Sequence, residues 1–497
     1  MNRKRVALLL LLTMAALLVH GYHPAVEDGE LYLPGVKKLL NPSLYPFNSE
    51  FFMSHAGMTL FPNLIAASVR LSHLPFDWVV FLWHAACIFV FLLGCWRVSR
   101  ACFTDPRAWW GSACLTGALL TIPVAGTALY IMDQYLTPRD FSTAVIMLVI
   151  ADGVERRFGR AAALLAPIAA IHPLMSVFGA VLLALLWMEQ RRAAAFASPR
   201  GAIAAVAPAL IALPSLQPVS GVYRGILDTS HAYFLVTRWE WYEWLGIVGP
   251  LALLWAAARL SPRASNRAIL ARALILFGLL SLAAGLIVCV PRLASLALLQ
   301  PMRSLHLIFI LLFVLMGGAA GEHLLKSRAW RWAALFLPIC LGMFVAQRQL
   351  FPATAHLELP GAAPSNAWAE AFDWARTHTP AEAIFAMNPD YMNLDGEDEH
   401  GFREIAERSS LANVHDKGAV SMFPALAADW FAQYREEQNW RNLDAAGFQR
   451  LRRDFGAGWA ILDRPAPTGL ECVFHNRVVS VCRIDAAEAR AAGAPQR

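Results

Sequence analysis

The sequence predicts an α-helical polytopic membrane protein that carries a C-terminal α/β domain outside the membrane. Three observations predict it. The chain is 57% hydrophobic and 16% charged with a mean hydropathy of +0.46, far from the roughly 45–50% apolar and 25% charged residues of soluble domains. Apolar runs near the length a bilayer requires recur from Val6 onward. After Gln347 these runs give way to about 150 residues of mixed, water-compatible sequence, enough for one domain.

The opening stretch MNRKRVALLLLLTMAALLVHGYH has the charged start and apolar run of a signal peptide but no small-residue cleavage motif, so it reads as an uncleaved first span. About eleven spans follow from the pattern, beginning near Val6, Phe76, Ala108, Phe141, Ala161, Leu174, Ala202, Trp244, Ile269, Leu305 and Trp330. Several are short and must lean on neighbours. The expected division is a membrane domain over 1–347, with a long outer first loop over 23–75, and an extracytoplasmic α/β domain over 348–497.

Orientation follows from where the short loops keep their cations. With the N-terminus inside, alternate loops hold nineteen Lys and Arg residues, from Arg3 to Arg331, and the opposite loops hold eight. The expected location is a bacterial inner membrane, with the N-terminus cytoplasmic and the tail periplasmic. The net charge of +6 divides into 27 Lys+Arg against 15 Asp+Glu before Arg348, and 15 against 21 from there on. The surplus therefore reports topology, and nucleic acid is not an expected partner.

In the tail, NAWAEAFDWARTHTP places Trp368, Phe372 and Ala375 on one helical face, and a strand follows at AIFAM. FPALAADWFAQYREEQNW and LDAAGFQRLRRDF read as helices, WAILD as a strand, and CVFHNRVVSVCRI as a hairpin. Cys472 and Cys482 would face each other across its three-residue loop. In an oxidising compartment a disulfide and a free pair are equally open. The other six cysteines lie in or beside spans, as small apolar fillers, and no Cys/His spacing matches a zinc site.

Chemistry is expected on the outer face, because every cytoplasmic loop is too short to form a soluble catalytic domain. There is no Walker loop and no GxGxxG after a strand. The stretch GYHPAVEDGELYLPG sets Glu27 and Asp28, with Glu30 close behind, just past the first span. GELYLPGVKKLL and SEFFMSHAGMTLFPNLIAASVRLS look like amphipathic helices at the interface, which pins the acids at membrane level. A carboxylate there can act as a base or hold a cation; equally, outer acids complement positive-inside topology.

His172, before the helix-breaking Pro173, is either an intramembrane functional group or part of a turn between two short spans. Arg139 beside Asp140, and Arg303 near His306, suit ion pairing, snorkelling or phosphate contact; Arg224 and Arg238 are further outer-loop cations. Trp239, Trp241, Tyr242 and Trp244 form either an interfacial belt or a sugar-stacking platform.

The short first span, the acidic pair beyond it, the long outer first loop, about eleven spans and the outer C-terminal domain together resemble the GT-C superfamily of membrane glycosyltransferases. The tail is similar to the outer domains of bacterial members in its opening, Trp368, Trp374, Arg376, His378 and Pro380, and in its close, GWAILDR and VFHNRVVSVCRI. The resemblance implies an inverting transfer of sugar from a polyprenyl-phosphate donor to an envelope glycan, lipid or protein. It casts Asp28 first and Glu27 second as base or metal-linked carboxylate. By the same resemblance Arg139, Arg303, His172, Arg224 and Arg238 would contact the donor phosphate, and Trp239, Trp241 and Tyr242 the acceptor or sugar. A divalent cation, Mg2+ or Mn2+, on Asp28 is left open, and no other cofactor is called for. The pair reads ED rather than the commoner DD or DE, and no WWDYG signature is present. A lipid or solute transporter, or a flippase, is disfavoured by the odd span number and the absent repeat. A non-catalytic envelope-assembly scaffold would need neither Asp28 nor Arg303.

Overall fold

Asn2 starts the first helix by accepting the Arg5 N–H at 3.1 Å, and Gly21, at φ +82°, ends it after the Arg3–His20 run. The computed structural model describes residues 2–194, 220–364, 366–394, 396, 398, 400–463 and 470–484. The span expected near Ala202 lies outside them.

One unit comprises Met1–Gly21, Leu82–Val219 and Leu227–Gln347. Among the described residues six helices are long and apolar enough to cross a membrane: Phe76–Cys102, Pro173–Ala193, Trp241–Leu260, Asn266–Val288, Ser295–Leu325 and Ala329–Leu350. This is a helical membrane protein. Helices also stand at Pro106–Ala118, Pro138–Val154 and Phe158–Ile171. At about 1.5 Å per residue they rise less than the roughly 30 Å of a hydrocarbon core, so length alone does not make them spans.

Close packing in this unit depends on glycine. A Cβ on Gly111 would lie 2.3 Å from the Gly317 carbonyl oxygen, and one on Gly321 would lie 2.4 Å from that of Arg107. The 317–321 pair is a GxxxG spacing, which lets backbones approach where lipid offers no hydrophobic drive to associate. Ser112 adds a hydrogen bond from Oγ to the Val314 carbonyl at 2.6 Å. The Arg97 guanidinium ties the ends of two helices through Asp152 at 2.6 Å and Glu155 at 3.1 Å, compensating an Asp152 side chain that has no solvent exposure.

The second unit joins Tyr22–Phe81 and Ser220–Ile226 to the tail from Arg348 onward. Its centre is a five-stranded sheet in the order β2-β1-β3-β5-β4, with β1 at Ile384–Met387, β2 at Ser409–Ser410, β3 at Trp459–Asp463, β4 at Glu471–His475 and β5 at Val479–Arg483. β1 lies parallel to β2 and β3, whereas β5 runs antiparallel to β3 and β4. The Ala367–His378 helix buries Trp368, Phe372 and Ala375 against Phe385, Phe402, Ile461 and Val481. That apolar packing is the main term holding the tail together. Three residues close the β4–β5 hairpin, and Cys472 is bonded to Cys482 across it.

The first loop was expected with the membrane domain over 1–347, but it belongs to the unit built on the tail. The reason is polar pairing that no hydropathy pattern encodes. β2 is an edge strand with groups to satisfy: the Phe47 N–H donates to Ser409 Oγ at 3.1 Å, and Asn48 Nδ2 donates to the Ser410 carbonyl at 3.0 Å. Tyr22 bridges to Leu357 and Val26 to His400 as short ladder contacts.

Candidate functional site

The Glu27–Asp28 turn is set by local backbone geometry. Glu27 takes φ +46°, a left-handed conformation that side-chain-bearing residues rarely adopt. A Cβ on Gly29 would lie 2.7 Å from the Pro24 carbonyl oxygen, so the chain can fold back this tightly only with glycine there. Asp28 stands at the N-cap of the Gly29–Leu40 helix, yet its carboxylate makes no capping hydrogen bond. It is directed to other partners. Its charge acts on two imidazoles, His55 from the Glu50–Met58 helix and His415 at the head of the Asp416–Met422 helix.

Both imidazoles are held neutral at physiological pH. Burial pushes His55 down to about 4, with Asp28 opposing. Its ring meets the edges of Tyr32 and Phe423 at centroid distances of 6.1 and 5.3 Å, and its Nδ1 is buried without a hydrogen-bond partner among the described residues. Burial also lowers His415, against Asp28 and Asp416. A carboxylate beside two uncharged imidazoles can accept a proton and pass it on. Among the described residues no group of three or more His, Cys, Asp or Glu side chains is arranged to hold a metal ion.

Glu30, from the same turn, is spent on structure. Its Oε2 accepts the Glu404 N–H at 3.1 Å and its Oε1 lies 3.7 Å from Arg403. Burial raises it to about 7, against the pull of Arg403. Lys37 follows two turns later, 3.3 Å from Glu404 and 3.1 Å from Glu407. Glu358 accepts hydrogen bonds from His23 at 2.7 Å and His400 at 2.9 Å. Burial would raise its carboxyl, but His400 and His23 outweigh that and hold it down at about 2.

No protein-family model and no curated protein matches this chain. The reading of the site rests on its residues alone.

The remaining expected residues stand on other elements of the chain. Arg139 is ion-paired with Asp133 and is largely buried. Asp140 closes a capping box with Thr137, so the TPRD motif is a helix start. His172 joins the Phe158–Ile171 and Pro173–Ala194 helices and accepts the Met175 N–H at Nδ1, 3.4 Å away, which makes it part of a turn between two helices. Arg238 sits 3.6 Å from Asp228, with both side chains well exposed. Arg224 is exposed on the Gly221–Thr229 helix.

Arg303 differs from the others. Its guanidinium lies 5.3 Å from the centroids of both Tyr233 and Phe234, and its Nε is buried without a hydrogen-bond partner among the described residues. It retains capacity to donate to an anion. Trp241 and Tyr242 are 72% and 58% exposed, whereas Trp239 is 7% exposed and donates from Nε1 to the Tyr233 carbonyl at 3.0 Å. The Trp239 indole packs over Gly126, where a Cβ would lie 2.7 Å from the ring. It is a packing residue, whereas the Trp241 and Tyr242 rings stand exposed.

Sequence reasoning missed His55 and His415. Each is a lone histidine in an unremarkable stretch, and only the fold of one unit brings them to Asp28.

Proposed function

We propose that the chain is an integral membrane glycosyltransferase of the GT-C type, moving a sugar from a polyprenyl-phosphate donor to an envelope acceptor on the extracytoplasmic face of the bacterial inner membrane. In this reading the chain has about eleven spans, the N-terminus is cytoplasmic and the tail is periplasmic. The observation that carries the reading is Asp28: a carboxylate just past the first apolar helix, not used as a cap, beside two desolvated imidazoles. Asp28 takes the proton of an acceptor hydroxyl as that oxygen attacks the anomeric carbon; the sugar–phosphate bond breaks and the electron pair leaves on the lipid phosphate. Among the expected phosphate contacts, Arg303 is supported by its unpartnered Nε.

The test is sugar transfer in cells carrying Asp28→Asn at equal protein level. A loss of about 100-fold or more is expected, as removal of a general base typically costs; undiminished transfer overturns the proposal. One observation favours a scaffold instead: Glu30 and Lys37, near neighbours of Asp28, serve buried pairing with the tail. A scaffold would keep its envelope phenotype with Asp28→Asn.

A further inference from the structure

The Phe76–Cys102 helix has 27 residues, a length of about 40 Å at about 1.5 Å per residue. A hydrocarbon core is roughly 30 Å thick, so the last turns of this helix, which carry Arg97 and Arg100, stand at headgroup depth. The starts of the Arg3–His20 and Pro106–Ala118 helices meet it at that end through Arg5 and Trp109.

Trp96 is the centre of the meeting. It is 1% exposed, with the Trp109 ring edge-on at a centroid distance of 5.7 Å and Trp110 at 6.2 Å. Two guanidinium groups rest on these rings. That of Arg5 lies 5.6 Å from the centroid of Trp96 and 5.7 Å from that of Trp109, and that of Arg100 lies 5.4 Å from Trp96. The indole attracts each cation through its π face but neutralises neither, so two positive charges share one ring.

The acids of these elements are committed to other cations. Asp105 pairs with Arg107 at 2.8 Å. Asp152 pairs with Arg97 at 2.6 Å and Arg160 at 3.1 Å, and Glu155 with Arg97 at 3.1 Å and Arg157 at 3.0 Å. Glu155 reaches Arg100 only at 3.5 Å. The Arg5 side chain makes no ion pair and donates no hydrogen bond among the described residues. A guanidinium carries five N–H donors, so both arginines keep donors to give. Both are also reachable, Arg5 being half-buried and the Arg100 side chain 39% exposed.

We propose that Arg5 and Arg100 form a binding site for the phosphate of an anionic phospholipid headgroup. Guanidinium groups match phosphate oxygens in pairs, and cations between helix ends at a membrane surface suit an anionic headgroup. The tryptophan rings place the site at the interface, where a lipid presents its phosphate and a free anion has no anchor. A choline or ethanolamine headgroup would add a further cation, for which these elements have no uncommitted acid. The site shares no residue with the Asp28 cluster, so its fate is independent of the transferase reading.

The test is calorimetric titration of the full-length protein in detergent with short-chain phosphatidylglycerol, phosphatidylcholine of the same chain length, and inorganic phosphate. Phosphatidylglycerol should bind at least tenfold tighter than phosphatidylcholine, and inorganic phosphate should not displace it at equal concentration. Arg5→Gln and Arg100→Gln, changes at reachable side chains, should each weaken phosphatidylglycerol about fivefold, the usual loss for one cation at a membrane surface. Arg3→Gln removes the same charge from an exposed position on the same helix and should change the affinity less than twofold. An Arg3→Gln loss as large as that of Arg5→Gln would mean that diffuse charge, and no built site, attracts the lipid. That result, equal binding of the two lipids, displacement by inorganic phosphate, or unchanged affinity in Arg5→Gln and Arg100→Gln overturns the proposal.

Discussion

The guanidinium of Arg403 and the carboxylate of Asp416 meet in two parallel hydrogen bonds, 2.7 and 2.8 Å long, at a point where Arg403 is 1% exposed. This fork stands between the first loop and the tail, because Glu30 approaches Arg403 from one side and the Tyr45 hydroxyl donates to the Arg403 carbonyl at 2.9 Å. Removing the cation leaves Asp416 and Glu30 buried without it. Arg403→Met should therefore destabilise this unit by about 3–5 kcal/mol, the usual cost of breaking a buried pair from one side. Thermal unfolding of the purified protein in detergent checks this, and a midpoint within error of wild type would show that the fork does not hold the unit together.

Glu30 makes the same contact pH-dependent. Burial raises its folded-state pKa to about 7 from an ordinary carboxyl value near 4.5. The folded form thus binds the proton more tightly than the unfolded form. Its contribution is fully present below pH 4.5 and is lost as pH rises through 7. Glu30→Gln, which cannot ionise, should gain stability relative to wild type between pH 5 and pH 8. Parallel melting curves at the two pH values decide it; an offset that does not change with pH would mean Glu30 does not titrate in this window.

Periodicity and composition made the tail legible. Trp368, Phe372 and Ala375 at helical spacing, AIFAM and WAILD as apolar strands, and Cys472 opposite Cys482 across a three-residue loop are local signals, and the structure has those elements. The partition of the chain was not legible. Glu30, Lys37 and Asn48 are polar residues in a loop, and nothing in their spacing says that Arg403, Glu404 and Gln433 await them hundreds of residues later. The Asp28 cluster shares this property: its acid is conspicuous at the end of an apolar run, but its histidines come from two other segments. At Arg139 and His172 the sequence leaves both readings open, since a charged or polar residue at a helix break serves a cap or turn as well as a ligand.

The crossing at Gly317 gives a prediction for the membrane unit. A methyl group there would lie 2.5 Å from the Gly111 carbonyl oxygen, a backbone atom that cannot swing away, whereas one on Gly342, in another apolar helix, meets nothing within 4 Å. Gly317→Ala should lower the melting temperature or the folded yield markedly and Gly342→Ala should not, since overpacking commonly costs about 1–3 kcal/mol. Equal behaviour of the two variants would show that the helices separate freely at this crossing.

The last prediction concerns which group near Asp28 carries the proton. With His55 pushed down to about 4 and His415 lowered as well, neither imidazole matches a base working near neutral pH, because efficiency favours a pKa near the operating value. To take the proton, the Asp28 carboxylate needs the acceptor hydroxyl within hydrogen-bond reach. His55→Gln and His415→Gln should each cost less than about tenfold in transfer at pH 7, while Asp28→Asn costs about 100-fold or more. Glu27→Gln separates the two acids: Glu27 precedes the helix in a left-handed turn, and its loss should resemble that of the histidines. Transfer rates of the four variants at matched protein level settle the assignment. If His55→Gln fell as far as Asp28→Asn, the imidazole would be the base and Asp28 the group that orients it.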